Sequence, residues 1–172
     1  MSDLVVVMHR ARIAQIGTPR ALYESPATAF VADFLGDSNL IAATLIETAG
    51  ERCTVKAGDG SVIHTPRPKF AVSQGQRVFV LVRPEDMQAH SGTMPADGRE
   101  RLAGTVTELS FHGDTFRLAV AAGRDVLKVR VPRAQGADFA MGRQVALTWA
   151  TDAGRLLPVV DDDLPDAAGG AA

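Results

Sequence analysis

The sequence predicts a mainly β protein: a small closed β-barrel with extra strands, preceded by a β-hairpin and two short helices. Three observations carry this. Period-two alternation recurs through the second half of the chain. Turn residues (Gly, Pro, Asp) are spread along the 172 residues. Helix start and stop signals cluster before residue 37. Many short segments separated by turns favour all-β architecture.

The elements follow in order. Residues 4–8 and 12–16 are two short β-rich runs separated by His9-Arg10-Ala11, the layout of a hairpin. Thr18 can cap a helix and Pro19 suits its first position, so a helix is expected over roughly 19–24. Ser25-Pro26 repeats that start signal. A second helix then carries Phe30, Val31, Phe34 and Leu35 on one stripe and stops at Gly36. From Asn39 to about Val160 strands and turns take over, with about eight or nine strands expected. Residues 78–82, VFVLV, suit a central strand. Phe116, Leu118 and Val120 alternate with Thr115, Arg117 and Ala119. Leu127, Val129 and Val131 alternate with Lys128 and Arg130. Val145, Leu147 and Trp149 alternate with Gln144, Ala146 and Thr148. One polar face per strand is the pattern of half-buried antiparallel sheet. Residues 87–101 are expected to form a mobile loop. The tail from Asp161 lacks apolar periodicity and is expected to be disordered.

Composition excludes several classes. Eighteen basic against 20 acidic residues give a net charge of −2, which offers no global field for nucleic acid. One Trp, one Tyr and seven Phe leave few stacking platforms for single strands. No apolar run approaches the ~20 residues of a membrane helix. The N-terminus lacks the layout of a secretory signal. A lone Cys53 forms no internal disulfide and no multi-cysteine zinc site; it is expected to be half-buried.

Catalytic motifs are missing. There is no phosphate-cradling P-loop, no G-x-G-x-x-G, no H-E-x-x-H and no G-x-S-x-G. His9, His64, His90 and His112 have no ligand spacing. Ser110, His112 and Asp114 share one face of a continuous strand only at about 7 Å, too far for a catalytic relay. They are expected to be a polar strand-to-turn segment. Arg83-Pro84-Glu85-Asp86 closes the most apolar strand: either an interface loop or a proline stop with solvated charges. Arg99-Glu100-Arg101 precedes a strand starting at Leu102; it reads as a solvated loop edge, with oxyanion capture as the functional alternative.

The order of motifs resembles a known family. Val7-Met8, Arg12-Ile13, Gln15-Ile16-Gly17-Thr18-Pro19, Tyr23, Pro26, Phe30-Val31-Ala32, Phe34-Leu35-Gly36 and Asn39 are similar to the end of the ATPase domain of ABC importers. Val82-Arg83-Pro84-Glu85-Asp86, Gly104-Thr105-Val106, Gly113, Gly142 and Val145-Ala146-Leu147 resemble the transport-associated OB (TOBE) domain that follows it. The phrase around Phe30 to Leu40 looks most like the spermidine/putrescine importers; iron, thiamine and phosphonate importers carry close variants.

The resemblance implies three segments. Residues 1–38 are a remnant of the ATPase domain, 39–160 an OB-like TOBE regulatory domain, and 161–172 a disordered tail. It implies an accessory, regulatory and dimerising region of an ATP-binding subunit, at the cytoplasmic face of the inner membrane. The implied partners are a second copy, the ATPase domain and the membrane permeases; no nucleic acid is expected. Arg83, Glu85 and Asp86 are the regulatory or dimer-interface candidates. No catalytic, metal or cofactor residues are expected in this chain. ATP and Mg²⁺ belong to the full-length family, whose Walker A, signature and Walker B motifs lie upstream of residue 1. The β-strand at Leu4–Met8, normally packed on that domain, is expected to pair with a second copy or fray. Two details depart from the family. Ala11 stands where Gly is usual, so the turn type differs or the position is unconstrained. The Ser and Asn of the S-A-R-N oxyanion motif of related TOBE folds are absent near Gly98-Arg99-Glu100-Arg101. Small-oxyanion binding is therefore the second reading, and an OB-type nucleic-acid binder the third.

Overall fold

A computed structural model describes residues 3–92 and 98–160. Residues 93–97, within the expected mobile loop, and 161–172, the expected disordered tail, lie outside the described residues.

The hairpin forms as expected. Strands β1 (Val5–His9) and β2 (Arg12–Gly17) pair antiparallel, with His9 opposite Arg12. Arg10 and Ala11 form the two-residue turn, at φ 47° and 60°. Positive φ at both positions is the primed hairpin turn that matches strand twist. Ala11 therefore sits in left-handed geometry despite its Cβ.

Helix α1 (Pro19–Glu24) starts as expected: Pro19 opens it and the Thr18 hydroxyl accepts from the Ala21 N–H at 3.2 Å. Helix α2 (Ala29–Phe34) does not start at Ser25-Pro26. The Gln15 side chain holds that link by donating to the Ser25 carbonyl at 3.0 Å and accepting from the Ala27 N–H at 2.7 Å. The cap passes to Thr28, whose hydroxyl accepts from the Val31 N–H at 3.3 Å. Val7, Leu22 and Val31 form the small core between hairpin and helices. Phe30 closes it, stacked on His9 with ring centroids 3.8 Å apart.

Among the described residues ten strands follow, in two antiparallel sheets. The first contains β3 (Asn39–Ala49), β4 (Arg52–Ala57), β5 (Val62–Pro66), β6 (Arg77–Val82) and β12 (Arg155–Pro158), in the order β12-β6-β3-β4-β5. The second contains β7 (Gln88–His90), β8 (Glu100–His112), β9 (Thr115–Ala122), β10 (Asp125–Pro132) and β11 (Gln144–Trp149), in the order β10-β9-β8-β11-β7. Each sheet curls until its outer strands come near each other, β12 beside β5 and β10 beside β7. The extra strands expected around one barrel are thus a second five-stranded sheet. Five strands is the count of an OB-type barrel.

One core of 24 buried residues runs through both sheets, from Ile41 and Val55 to Leu127 and Trp149. The expected alternation holds on β9 and β10. Strand β11 is buried on both faces from Val145 to Trp149, against the expected polar face. Thr148 satisfies its hydroxyl inside, 2.9 Å from His90 Nε2. Cys53 is fully buried rather than half-buried. Helix α2 lies on the outside of the first sheet, where Ala32 packs with Leu81 and Leu157.

Candidate functional site

The corner after β6 is built on a short chain reversal. Val82 ends the strand, and the Asp86 N–H donates to the Arg83 carbonyl at 3.0 Å. The reversal sends Arg83 and Glu85 toward the helices. Arg83 is 6% exposed, so the expectation of solvated charges fails there. Its guanidinium donates to the carbonyls of Tyr23 (2.9 Å), Ala32 (3.0 Å) and Asp37 (3.3 Å) and to the Ser38 hydroxyl (2.6 Å). It also lies over the Tyr23 ring, 3.9 Å from the centroid. The three carbonyls belong to the ends of α1 and α2 and the link to β3. These are the places where helical carbonyls lack partners. A planar five-donor cation suits such a fork. One donor, Nε, has no partner among the described residues. Arg83 therefore acts within the chain, tying hairpin and helices to the first sheet.

Glu85 and Asp86 remain on the surface. The Tyr23 hydroxyl donates to Glu85 in a short hydrogen bond. Partial burial, then Glu85, push the Tyr23 hydroxyl above its ordinary pKa. Burial and the neighbouring Glu85 likewise raise Asp86. Tyr23, Glu24, Glu85 and Asp86 line a cleft of about 270 Å³, with Arg155 at its side.

Two residues just after α2 also matter, and sequence reasoning gave them no role. Asn39 is 1% exposed and pairs with the backbone of Lys128: its Nδ2 donates to the carbonyl (2.8 Å) and its Oδ1 accepts from the N–H (2.7 Å). This side-chain ladder joins β3 to β10 and so joins the two sheets. Nearby, Asp125 accepts from the Ala42 N–H at 3.2 Å, and burial raises its carboxyl. Asp37 faces Lys128 (2.9 Å), Arg130 (3.7 Å) and Arg117 (3.9 Å). The Lys128 hydrogen bond holds Asp37 below the usual carboxylate range, against partial burial. The available signal was Asn39 in the family phrase and the cations alternating along β9 and β10.

The other candidates separate. The Ser110 hydroxyl lies 3.2 Å from His112 Nε2, closer than the strand spacing implied, because the two side chains lean together on the exposed end of β8. Asp114 lies in the two-residue turn with Gly113, and among the described residues no hydrogen bond joins its carboxylate to the ring. No relay is assembled. Glu100 belongs to β8 and is 6% exposed, so it is not a solvated loop edge. Its carboxylate accepts from the His64 N–H (2.8 Å) and the Thr151 hydroxyl (2.6 Å). Strand β7 occupies part of the expected loop for a related reason: Gln88–His90 pairs with β11. Among the described residues no group of three or more His, Cys, Asp or Glu could hold a metal ion. No described helix is long and apolar enough to cross a membrane.

Residues 80–157 match the TOBE domain family. The chain is 34% identical over 160 residues to the spermidine/putrescine import ATP-binding protein PotA of Ruegeria pomeroyi, covering 91% of this chain and 42% of that protein. It is 35% identical over 156 residues to the protein of the same name from Escherichia coli K12, covering 87% of this chain and 40% of the relative. The chain thus spans about two fifths of the curated relatives it matches, and it corresponds to their C-terminal part. Among solved structures, the cytoplasmic molybdate-binding protein ModG with molybdate bound superposes with a TM-score of 0.62 at 15% identity. That match covers 70% of this chain and 96% of ModG. At that identity the likeness establishes the fold alone.

Proposed function

We propose that this chain, which carries a TOBE domain and is similar to the C-terminal part of spermidine/putrescine import ATP-binding proteins, is the accessory and regulatory region of such a subunit. Its task is binding rather than catalysis. Similarity over about nine tenths of the chain to the Ruegeria protein, spanning both the helical segment and the sheets, is the observation that carries this reading.

Two structural features support it. The hairpin buries Val7 inward but leaves Val6, Met8, Ile13 and Ile16 about half exposed. Val6 pairs with Ile16 and Met8 with Ile13, so the four make one apolar face. A face of this kind calls for a cover; the ATPase portion of the subunit is the proposed one. Arg83 then holds the covered segment to the TOBE domain. Glu85 and Asp86 are the surface groups offered to a second subunit or a regulator, and homodimerisation is part of the proposal. ATP and Mg²⁺ would belong to the ATPase portion, and the assembly would sit at the cytoplasmic side of the membrane permeases.

The test is uptake. Deleting the coding region in its host should abolish import of labelled spermidine or putrescine. Loss of iron, thiamine or phosphonate uptake instead would move the substrate, and unchanged uptake of all of them would overturn the transport role.

A second reading, oxyanion binding between TOBE domains, draws on the ModG fold. The place near Arg99 and Arg101 opposes it. The Arg99 guanidinium there already donates to the Gln88 side chain at 2.9 Å. Glu100, between the two arginines in sequence, turns to the buried face of β8 and accepts from the His64 N–H and the Thr151 hydroxyl.

A further inference from the structure

The outer face of β9 and β10 carries an arrangement that neither the fold nor the transport reading requires. Arg117 and Arg130 are directly opposite each other in the antiparallel register. Lys128 lies two residues from Arg130 on the same strand face. Like charges directly opposed across a ladder are destabilising. Asp37 answers all three cations, but unequally. It accepts a hydrogen bond from Lys128 at 2.9 Å, whereas the guanidiniums of Arg130 and Arg117 stand at 3.7 and 3.9 Å. Neither guanidinium makes a side-chain hydrogen bond among the described residues. Both are nearly half exposed, at 45% and 49%.

These groups line a groove of about 230 Å³. The wall on the β8 side sets Ser110 directly beside Arg117 in the ladder, and Ser110 and His112 supply further polar hydrogen-bonding groups. Glu108 lies on the same wall, so the fixed charges are three cations against two carboxylates. Two guanidinium forks that meet Asp37 only at 3.9 and 3.7 Å, an added point charge from Lys128 and the neighbouring hydroxyl and imidazole groups match one ligand chemistry. Guanidinium forks recognise tetrahedral oxyanions by paired hydrogen bonds.

We propose that the groove between β8, β9 and β10 binds a phosphate-type dianion, held between Arg117 and Arg130 with Lys128, Ser110 and His112 at its margins. The residues are distinct from Arg99–Arg101, and the site does not depend on the transport reading. Asp37 sets its geometry by keeping the three cations gathered when the site is empty.

The test is titration of the full chain with sodium phosphate at constant ionic strength, following backbone and arginine side-chain resonances by NMR. Saturable shifts centred on Arg117, Lys128 and Arg130 are expected, with none from sodium chloride. The double variant R117Q/R130Q should bind at least about tenfold more weakly, since two charged hydrogen-bonding partners are lost. R124Q, on the exposed turn between β9 and β10, should bind as the wild type does. R117K/R130K keeps the charge and guards against misfolding; it should still weaken binding severalfold because the fork is lost. A parallel titration with adenosine monophosphate distinguishes free phosphate from a nucleotide phosphate: tighter binding than phosphate assigns the nucleotide, equal binding the free ion. Shifts that do not saturate, or equal affinity in R117Q/R130Q, would overturn the site.

Discussion

The helical segment and the sheets hold themselves together by different means. Between β1 and α2 the segment's own cluster of buried apolar side chains is three among the described residues, Val7, Leu22 and Val31. Between β3 and β12 the main cluster holds 24. A core of three residues supplies only a few kcal/mol of hydrophobic stabilisation, at about 1.5–3 kcal/mol per fully buried aliphatic side chain. The ordering of some thirty residues consumes more than that. The N-terminal segment therefore leans on its neighbour. It does so through Ala32 on the outside of the first sheet and through the Arg83 fork. The sheets need no such help. The lesson is that a polar tie, not an apolar core, sets whether the first 38 residues stay folded.

Arg83→Met is the strongest test of that contrast. It takes the guanidinium donor from the carbonyls of Tyr23 and Asp37, leaves that of Ala32 with the Ser38 hydroxyl alone, and removes the cation from the Tyr23 ring. Breaking a buried, hydrogen-bonded charge is expected to cost about 3 kcal/mol. The loss should be local. Hydrogen exchange and limited proteolysis should show β1 to α2 opening while β3 to β12 keep their protection. A single cooperative loss across both regions would show that they are one folding unit, and the contrast would break.

Asn39→Ala tests the other half of the comparison, the claim that the sheets are self-sufficient. Asn39 makes two backbone-like hydrogen bonds to Lys128, and both part-buried partners would lose them. About 2 kcal/mol is expected, from two bonds near 1 kcal/mol each. The effect should appear as a lower denaturation midpoint of the sheets, with exchange rising first at the start of β3 and along β10. If exchange rises instead across β1 to α2, Asn39 belongs with the helical segment.

The fold was more legible than the corner. Thr18-Pro19, the turn glycines and the alternation on β9 and β10 act locally, so the sequence states them directly. Arg83 and Glu100 were not legible as buried groups. Each looks like a strand-end charge until α2, or β5 with Thr151, closes over it, and those partners come from more than 35 residues away. The same holds for the family glycine at 104. A Cβ there would lie 2.5 Å from a Val120 methyl and 2.8 Å from the Ala121 carbonyl. The requirement is a close approach of β9, which no local pattern encodes. The split of ten strands into two sheets was hidden for a similar reason: β7 is three residues long and exists only because β11 is beside it.

Ala11→Gly gives the smallest effect and the opposite sign. Ala11 sits at φ 60°, where an L-residue with a Cβ is disfavoured by roughly 1–2 kcal/mol. Glycine adopts that region freely but loses more backbone entropy on folding. The net expectation is a gain of about 0.5–1 kcal/mol in the hairpin. Arg10, at φ 47°, keeps its strain in the variant. Because the segment is stabilised locally, the gain should slow exchange in β1 and β2 and leave the midpoint of the sheets unchanged. Combined with Arg83→Met, the same substitution should restore part of the lost protection in β1 to α2. Failure to restore any would mean that the fork governs the docking of the segment, while the turn governs only the hairpin within it.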